Sequence, residues 1–426
     1  MCISVELIIV IVLLLMIPLS SVYFCGSFRR IGKLNVIGVA ADSASFSSTV
    51  ASFSDSQRTE GIAPRFWTDI DAIQNARLEA IRRARRLIQF ETFIMTPGQR
   101  ADAFAEALRE RAAAGVKVQL LADNYGTRLL PDEYWESLED AGVEVRFFSC
   151  FTWRAPLDYL RRSHRKLLIV DQEMAMIGGA GISDRWDGSQ QAEPQEPWFD
   201  FEVEWRGHTV GMLTGYFRQH WSSVGGTVDL NEHEPDMTGV DDSHQILITS
   251  GDDPTVRNSS IRRLFQSALL GAQKRLWMAS PYLLPDEETV DLLTGIRRAG
   301  VEVRILTMGP RSDKASVYYL SRERYSRLLQ EGMQLYEYQP SMMHAKVILI
   351  DDQWVSLGSA NLDPRSFYRN DELNLCSGDP SLVRNVEEML HDGFQRSRLI
   401  RIDDWRKRPL MQRIRGQLAS LFYWQM

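Results

Sequence analysis

The sequence predicts an α/β protein made of two similar α/β/α sandwich lobes related by pseudo-two-fold symmetry, with an N-terminal transmembrane helix in front of them. Three observations carry this reading. A His-x-Lys-x4-Asp pattern occurs twice, as His164, Lys166 and Asp171, then as His344, Lys346 and Asp351. The segments around the two copies repeat one another in order. The N-terminus opens with an unbroken apolar run over residues 7–19.

The apolar run continues to Phe24 through Ser20, Ser21 and Tyr23. That approaches the roughly 20 residues needed to span a bilayer. Glu6 precedes it and Arg29, Arg30 and Lys33 follow it. A cleaved signal peptide has a basic start, so residues 1–28 read as a retained anchor. The positive charges after the run place the body on the cytoplasmic side. Residues 40–63 are rich in Ser, Ala and Thr without apolar periodicity. Residues 29–63 therefore read as a flexible linker.

The repeat fills the body. Residues 86–93 (RLIQFETF) match residues 275–282 (RLWMASPY), and an amphipathic, helix-like stretch precedes each. Residues 114–118 (AGVKV) match 299–303 (AGVEV), and 141–143 (AGV) match 331–333 (EGM). The glycines mark helix ends. Alternating helices and β-rich runs imply layered α/β lobes, with boundaries at 64–238 and 239–400. The first copy carries about ten more residues between Phe147 and Ser163, among them Trp153, Arg154, Pro156, Arg161 and Arg162. A loop just before a reactive segment suits substrate recognition.

Residues 401–426 hold six basic residues against Asp403 and Asp404, while the whole chain has a net charge of −7. Composition thus excludes a basic nucleic-acid binder and points to a basic tail on an acidic body. Leu410, Ile414, Leu418 and Leu421 recur at helical spacing, widened by Met411 and Phe422 and flanked by arginines. This amphipathic tail suits a lipid interface. Cys2, Cys25, Cys150 and Cys376 are scattered, so neither a disulfide framework nor a zinc site is expected.

In a strand, residues i and i+2 face the same way. His164 with Lys166, and His344 with Lys346, would therefore project together. Apolar residues follow each pair at 167–170 and 347–350, then Gly178 and Gly179, or Gly358 and Ser359. Phosphodiester exchange needs a nucleophile, a proton donor for the leaving alcohol, and positive charge on the non-bridging oxygens. Two imidazoles supply the first two and two lysines the third. No metal or cofactor is called for. His208, His220, His233, His244 and His391 read as structural or surface residues.

These motifs resemble the phospholipase D superfamily. Residues 358–366 (GSANLDPRS), running on to 370–374 (NDELN), and residues 162–171 (RSHRKLLIVD) resemble bacterial cardiolipin synthases. The resemblance covers residues 64–426. It implies a phosphatidyl-histidine formed by one imidazole, while the other serves as acid and base, with His164 assigned as nucleophile and His344 as proton carrier. It makes Ser359 and Asn361, beside the lysines, phosphate-binding. Glu372 resembles the carboxylate that orients a histidine, and Asp200 is its first-copy counterpart. Asp171 and Asp351 complete the catalytic set, with a stabilising role. The first copy has Gly181 where relatives carry Asn, so phosphate binding is not fully symmetric. The implied partners are phospholipids, phosphatidylglycerol or phosphatidylethanolamine, in a bacterial inner membrane, without nucleic acid. A phospholipase D-type hydrolase, a nuclease and a non-catalytic scaffold stand as alternatives.

Overall fold

In the computed structural model, the described residues are 5–25, 36–154, 158–188, 195–230, 240–255, 258–421 and 423. Among them fifteen strands form one continuous sheet. Its middle is an antiparallel pair, Gln57–Trp67 against His244–Ser250. From the first strand the sheet runs outward through Glu202–Arg206, Met174–Gly178, Leu167–Val170, Leu87–Thr92, Lys117–Asp123 and Glu144–Phe148. From the second it runs through Leu373–Ser377, Trp354–Gly358, Val347–Ile350, Arg275–Ala279, Glu302–Thr307 and Gln334–Tyr338, closing on Ser397–Ile400. The strand order is the same on both sides, so the repeat seen in sequence is a repeat in space.

Helices cover both faces. Helices His208–Ser223 and Pro380–Gln395 pack beneath both halves and bury Leu213, Phe217, Trp221, Val386 and Leu390 in one shared core. On the other face each lobe keeps its own core, around Phe104, Leu108 and Leu138 in the first and Leu264, Leu293 and Leu328 in the second. The shared core makes the lobes one body.

The linker expected over 29–63 is corrected for its described part. Residues 46–63 are structured: Phe46–Ser54 is a helix, and Gln57–Trp67 is the central strand. Phe46, Val50 and Ala51 fall on one helical face and are buried with Ile261, Leu264, Phe265 and Ala268. Two of the serines that suggested a tether are bonded into the fold. Ser54 Oγ donates to the Val50 carbonyl at 2.6 Å, and Ser56 Oγ lies 2.6 Å from Thr249 Oγ1. Residues 26–35 lie outside the described residues.

At the N-terminus a helix spans Val5–Cys25, and Leu7 to Ile17 are exposed along it. The side chains of Glu6, Pro18 and residues 21–25 lie outside the described residues. Among the described residues no helix is long and apolar enough to cross a membrane, so the expected transmembrane helix is not found there. At the other end, helix Leu410–Ser420 rests on helix Ala315–Gln330 through buried Gly416 and Ala419. Leu410, Met411, Ile414, Leu418 and Leu421 face outward and are exposed. Phe422 and residues 424–426 lie outside the described residues.

Candidate active site

The two His-x-Lys segments come just before strands Leu167–Val170 and Val347–Ile350, outside the ladders. Alternation still holds. Arg165, between His164 and Lys166, is fully buried and turns to Asp252, while Ala345 enters the shared core. A short parallel pair places the first histidine. Arg162–Ser163 pairs with Asn370–Asp371 of the other lobe, and the His164 N–H donates to the Asp371 carbonyl at 2.9 Å. His164 is thereby set beside Glu372.

The carboxylates are exchanged between lobes. His164 Nδ1 lies 3.0 Å from Glu372 Oε2 and 3.0 Å from the Ser359 carbonyl. Both partners are acceptors, so Nδ1 carries the proton. His344 Nδ1 lies 2.8 Å from Asp200 Oδ2, across the lobes in the opposite sense. Strand register makes Asp200 and Glu372 equivalents. Gly178 pairs with Glu202 and Gly358 with Asn374, so each carboxylate stands two residues before the partner of its glycine.

Each carboxylate is further held. Glu372 accepts from Ser359 Oγ at 2.5 Å and from Ser366 Oγ at 2.7 Å. Asp200 instead accepts from the Trp186 indole at 3.0 Å. In the first lobe, glycine stands where the second has Ser359, and a Cβ on Gly179 would come 1.9 Å from Asp200 Oδ1. Close approach, rather than phosphate binding alone, accounts for that glycine. Trp186 also sets its edge on the His344 ring at 5.3 Å, and Phe93 sets its edge on His164 at 4.9 Å.

Electrostatics follow from burial. The imidazoles keep only 9% and 6% side-chain exposure. Burial pushes His164 down to about 4, with Glu372 opposing and Lys166 adding to the fall. Burial and the Lys346 charge push His344 down to about 4 against Asp200. Burial and the Lys346 charge bring Lys166 down to about 7, and burial brings Lys346 down to about 8 against Asp200 and Glu372. Burial alone would raise Asp200 and Glu372, but the facing histidines, with Lys346 beside Asp200, hold both below the ordinary carboxylate range. The ligand-free state is thus two neutral imidazoles, two ionised carboxylates and two easily deprotonated lysines. An anionic phosphate between the lysines would raise their affinity for protons.

Not every expected residue joins this cluster. Asp171 and Asp351 are corrected from the catalytic group to the far ends of their strands. Asp171 accepts the N–H groups of Arg85, Arg86 and Leu87, and Asp351 those of Gln273, Lys274 and Arg275. Both sit at positive φ, 53° and 51°, where the chain turns back. They fasten the strands that carry the histidines. Ser359 points its hydroxyl at Glu372, and Asn361 is buried with Oδ1 unbonded among the described residues.

One of the histidines read as structural or surface residues has a buried structural place whose partners the sequence did not show. His220 bridges the lobes: Nδ1 lies 2.7 Å from Glu91, and Nε2 lies 3.1 Å from Asp252 and 3.3 Å from Asp371. Glu91 in turn accepts from Ser163 Oγ at 2.5 Å. The visible signal was an isolated glutamate in an apolar strand, where the second copy has Ser280. Ligand atoms of His220, Asp252 and Asp371 lie within 4.8 Å of one another, a spacing compatible with a metal. The charges argue otherwise. Burial and Arg165 lower the His220 pKa, but Glu91 and Asp371 together raise it above the ordinary value. A raised proton affinity works against metal ligation, which needs a ring nitrogen free of its proton. Asp252 and Asp371 are already paired with Arg165 and Arg161.

The comparisons agree with this geometry. The family described as cardiolipin synthase, PLD-like domain, matches residues 78–190 and 265–392, one stretch in each lobe. Cardiolipin synthase 2 of Bacillus anthracis is 32% identical over 355 residues, covering 82% of this chain and 68% of that protein. Cardiolipin synthase A of Pseudomonas fluorescens is 32% identical over 352 residues, covering 82% and 72%. Among solved structures, phosphatidylserine synthase of Haemophilus influenzae superposes with a TM-score of 0.67 at 13% identity, over 89% of this chain and all of that one. With two lobes, two matched stretches and relatives of this closeness, the chain belongs to the cardiolipin synthase family of PLD-like proteins.

Proposed function

We propose that this protein is a phosphatidyltransferase that makes cardiolipin from phosphatidylglycerol through a phosphohistidine intermediate. The observation that carries the reading is the exchanged pair of imidazole–carboxylate couples with a lysine beside each. His164 has Nδ1 occupied, and its Nε2 has no hydrogen bond among the described residues. Both lysines donate to the carbonyl of their own histidine, but Lys346 Nζ also lies 2.9 Å from His344 Nδ1 and 3.0 Å from its Nε2, whereas Lys166 has no hydrogen bond to the His164 ring among the described residues. This asymmetry supports His164 as nucleophile and His344 as proton carrier.

Binding of the anionic phosphate favours a protonated His344; in the first step His164 Nε2 bonds to phosphorus, the bond to the glycerol oxygen breaks, and the His344 imidazolium gives that oxygen its proton and becomes neutral. In the second, the hydroxyl of another phosphatidylglycerol bonds to phosphorus, the P–N bond breaks, and His344 takes the proton. Lys166 and Lys346, with Ser359 and Asn361 nearby, neutralise the non-bridging oxygens. One phosphodiester replaces another, so exclusion of water decides between transfer and hydrolysis. The burial of both imidazoles supports transfer.

The reading includes attachment to a membrane, with the catalytic body on its cytoplasmic side. The apolar helix Val5–Cys25 and the exposed apolar face of Leu410–Ser420 support attachment, and Arg29, Arg30 and Lys33 support the orientation. The test is incubation of the purified full chain with phosphatidylglycerol vesicles. Cardiolipin and glycerol should form one to one; phosphatidic acid as the sole lipid product would replace this reading with a hydrolase.

A further inference from the structure

Beside the catalytic cluster lies a second cavity, of about 630 Å³, lined by Arg185, Trp198, Arg311, Ser312 and Asp313 among others. It adjoins the reacting groups. The Trp198 ring centre is 5.8 Å from that of His344, and Lys346 feels the charge of Asp313. Its wall is rich in donors. Arg185 and Arg311 bring two guanidiniums. Trp198 is 5% exposed, and its indole Nε1 has no hydrogen-bond partner among the described residues; the same holds for the Ser312 hydroxyl. A buried donor left unpaired is destabilising, and an anion's oxygens would satisfy both. Among the described residues the one carboxylate in the wall, Asp313, is engaged by the Tyr282 hydroxyl at 2.8 and 3.0 Å.

The proposed reaction requires such a place. The donor's phosphate occupies the site between the lysines, and its departing glycerol is neutral. The acceptor brings a phosphate of its own, which must be held clear of the reacting phosphorus while its terminal hydroxyl reaches it. We propose that the cavity walled by Arg185, Arg311, Trp198 and Ser312 binds the phosphate of the acceptor phospholipid and so selects an anionic acceptor over water or a neutral alcohol. This rests on the phosphatidyltransferase reading. In the second step the acceptor hydroxyl oxygen bonds to phosphorus as the bond to His164 breaks, the proton passes to His344, and the acceptor's own phosphodiester is untouched.

The experiment uses the full chain carrying R185Q and R311Q together, with phosphatidylglycerol vesicles and labelled free glycerol. Two products are followed: cardiolipin, whose acceptor is anionic, and labelled phosphatidylglycerol, whose acceptor is neutral glycerol. The ratio of cardiolipin to labelled phosphatidylglycerol should fall at least tenfold, and R185K with R311K should recover part of it. An unchanged ratio, whether both products fall together or neither moves, overturns the acceptor site. Wild-type protein that forms neither product overturns the phosphatidyltransferase reading instead.

Discussion

At the scale of single residues, the chemistry depends on which nitrogen of each imidazole is committed. Glu372 holds the His164 proton on Nδ1 and so presents Nε2. Replacing His164 by Ala is expected to abolish turnover and the trapping of acid-labile phosphate on the protein. His344→Ala should slow turnover by about 10²–10⁴-fold, the range for loss of a general acid, while phosphate trapping on His164 stays detectable by rapid quench. Trapping that survives in H164A but vanishes in H344A would reverse the roles. The lysines give a pH prediction. In the free enzyme, Lys166 and Lys346 lose their protons near 7 and 8. The value of kcat/KM, which reports the free enzyme, should fall as pH rises through that window, whereas kcat, measured with an anion bound, should hold to higher pH. The sequence announced His164, Lys166, His344 and Lys346 because two copies of a short pattern are visible in any frame. It misplaced Asp171 and Asp351 because the pattern preserves spacing, not location. The four residues of the intervening strand carry the chain about 13 Å, far enough to turn the aspartate from the chemistry to the strand's anchorage.

At the scale of elements, polar groups far apart in the chain are paired in ways that no linear reading predicts. Arg77, on helix Ile70–Arg83, donates to Glu202 at 2.8 and 2.6 Å with both side chains almost wholly buried. Arg77→Ala would strand a buried carboxylate and should cost about 3–5 kcal/mol, read as a lower urea midpoint at unchanged slope. The imidazoles add a pH term to stability. Each takes a proton near 4 when folded and near 6.5 when unfolded. Between those values the unfolded chain binds more protons, so ligand-free stability should rise with pH across the window, checked by thermal melts from pH 4 to 7. The tail helix has a separate task. L410E with L418E alters only exposed positions, and is expected to weaken binding to anionic vesicles by about tenfold or more while leaving the melting temperature within about 2 °C. A melting temperature that drops with vesicle binding would assign the helix a structural role instead. This helix was readable from its heptad-like spacing. The helix Phe46–Ser54 was not, because serine-rich composition hid three residues that find their cover on a helix more than two hundred residues later.

For the whole molecule, the repeat made the two-lobe layout readable before any coordinates, since matched segments in matched order leave few arrangements. What stayed hidden was the crossing. Nothing in the sequence says that Glu372 serves His164 and Asp200 serves His344; only the sheet register and the short pair at 162–163 and 370–371 bring them together. The crossing ties the fates of the halves. A change at position 200 injures the imidazole at 344, which lies in the other half of the polypeptide, and a change at 372 injures the one at 164. Neither half can drift on its own, and the protein cannot shed one and keep a slower version of its chemistry. Inheritance must treat the pair as a single unit, and a search for compensating changes should find them linking 164 with 372 and 344 with 200, never within one half.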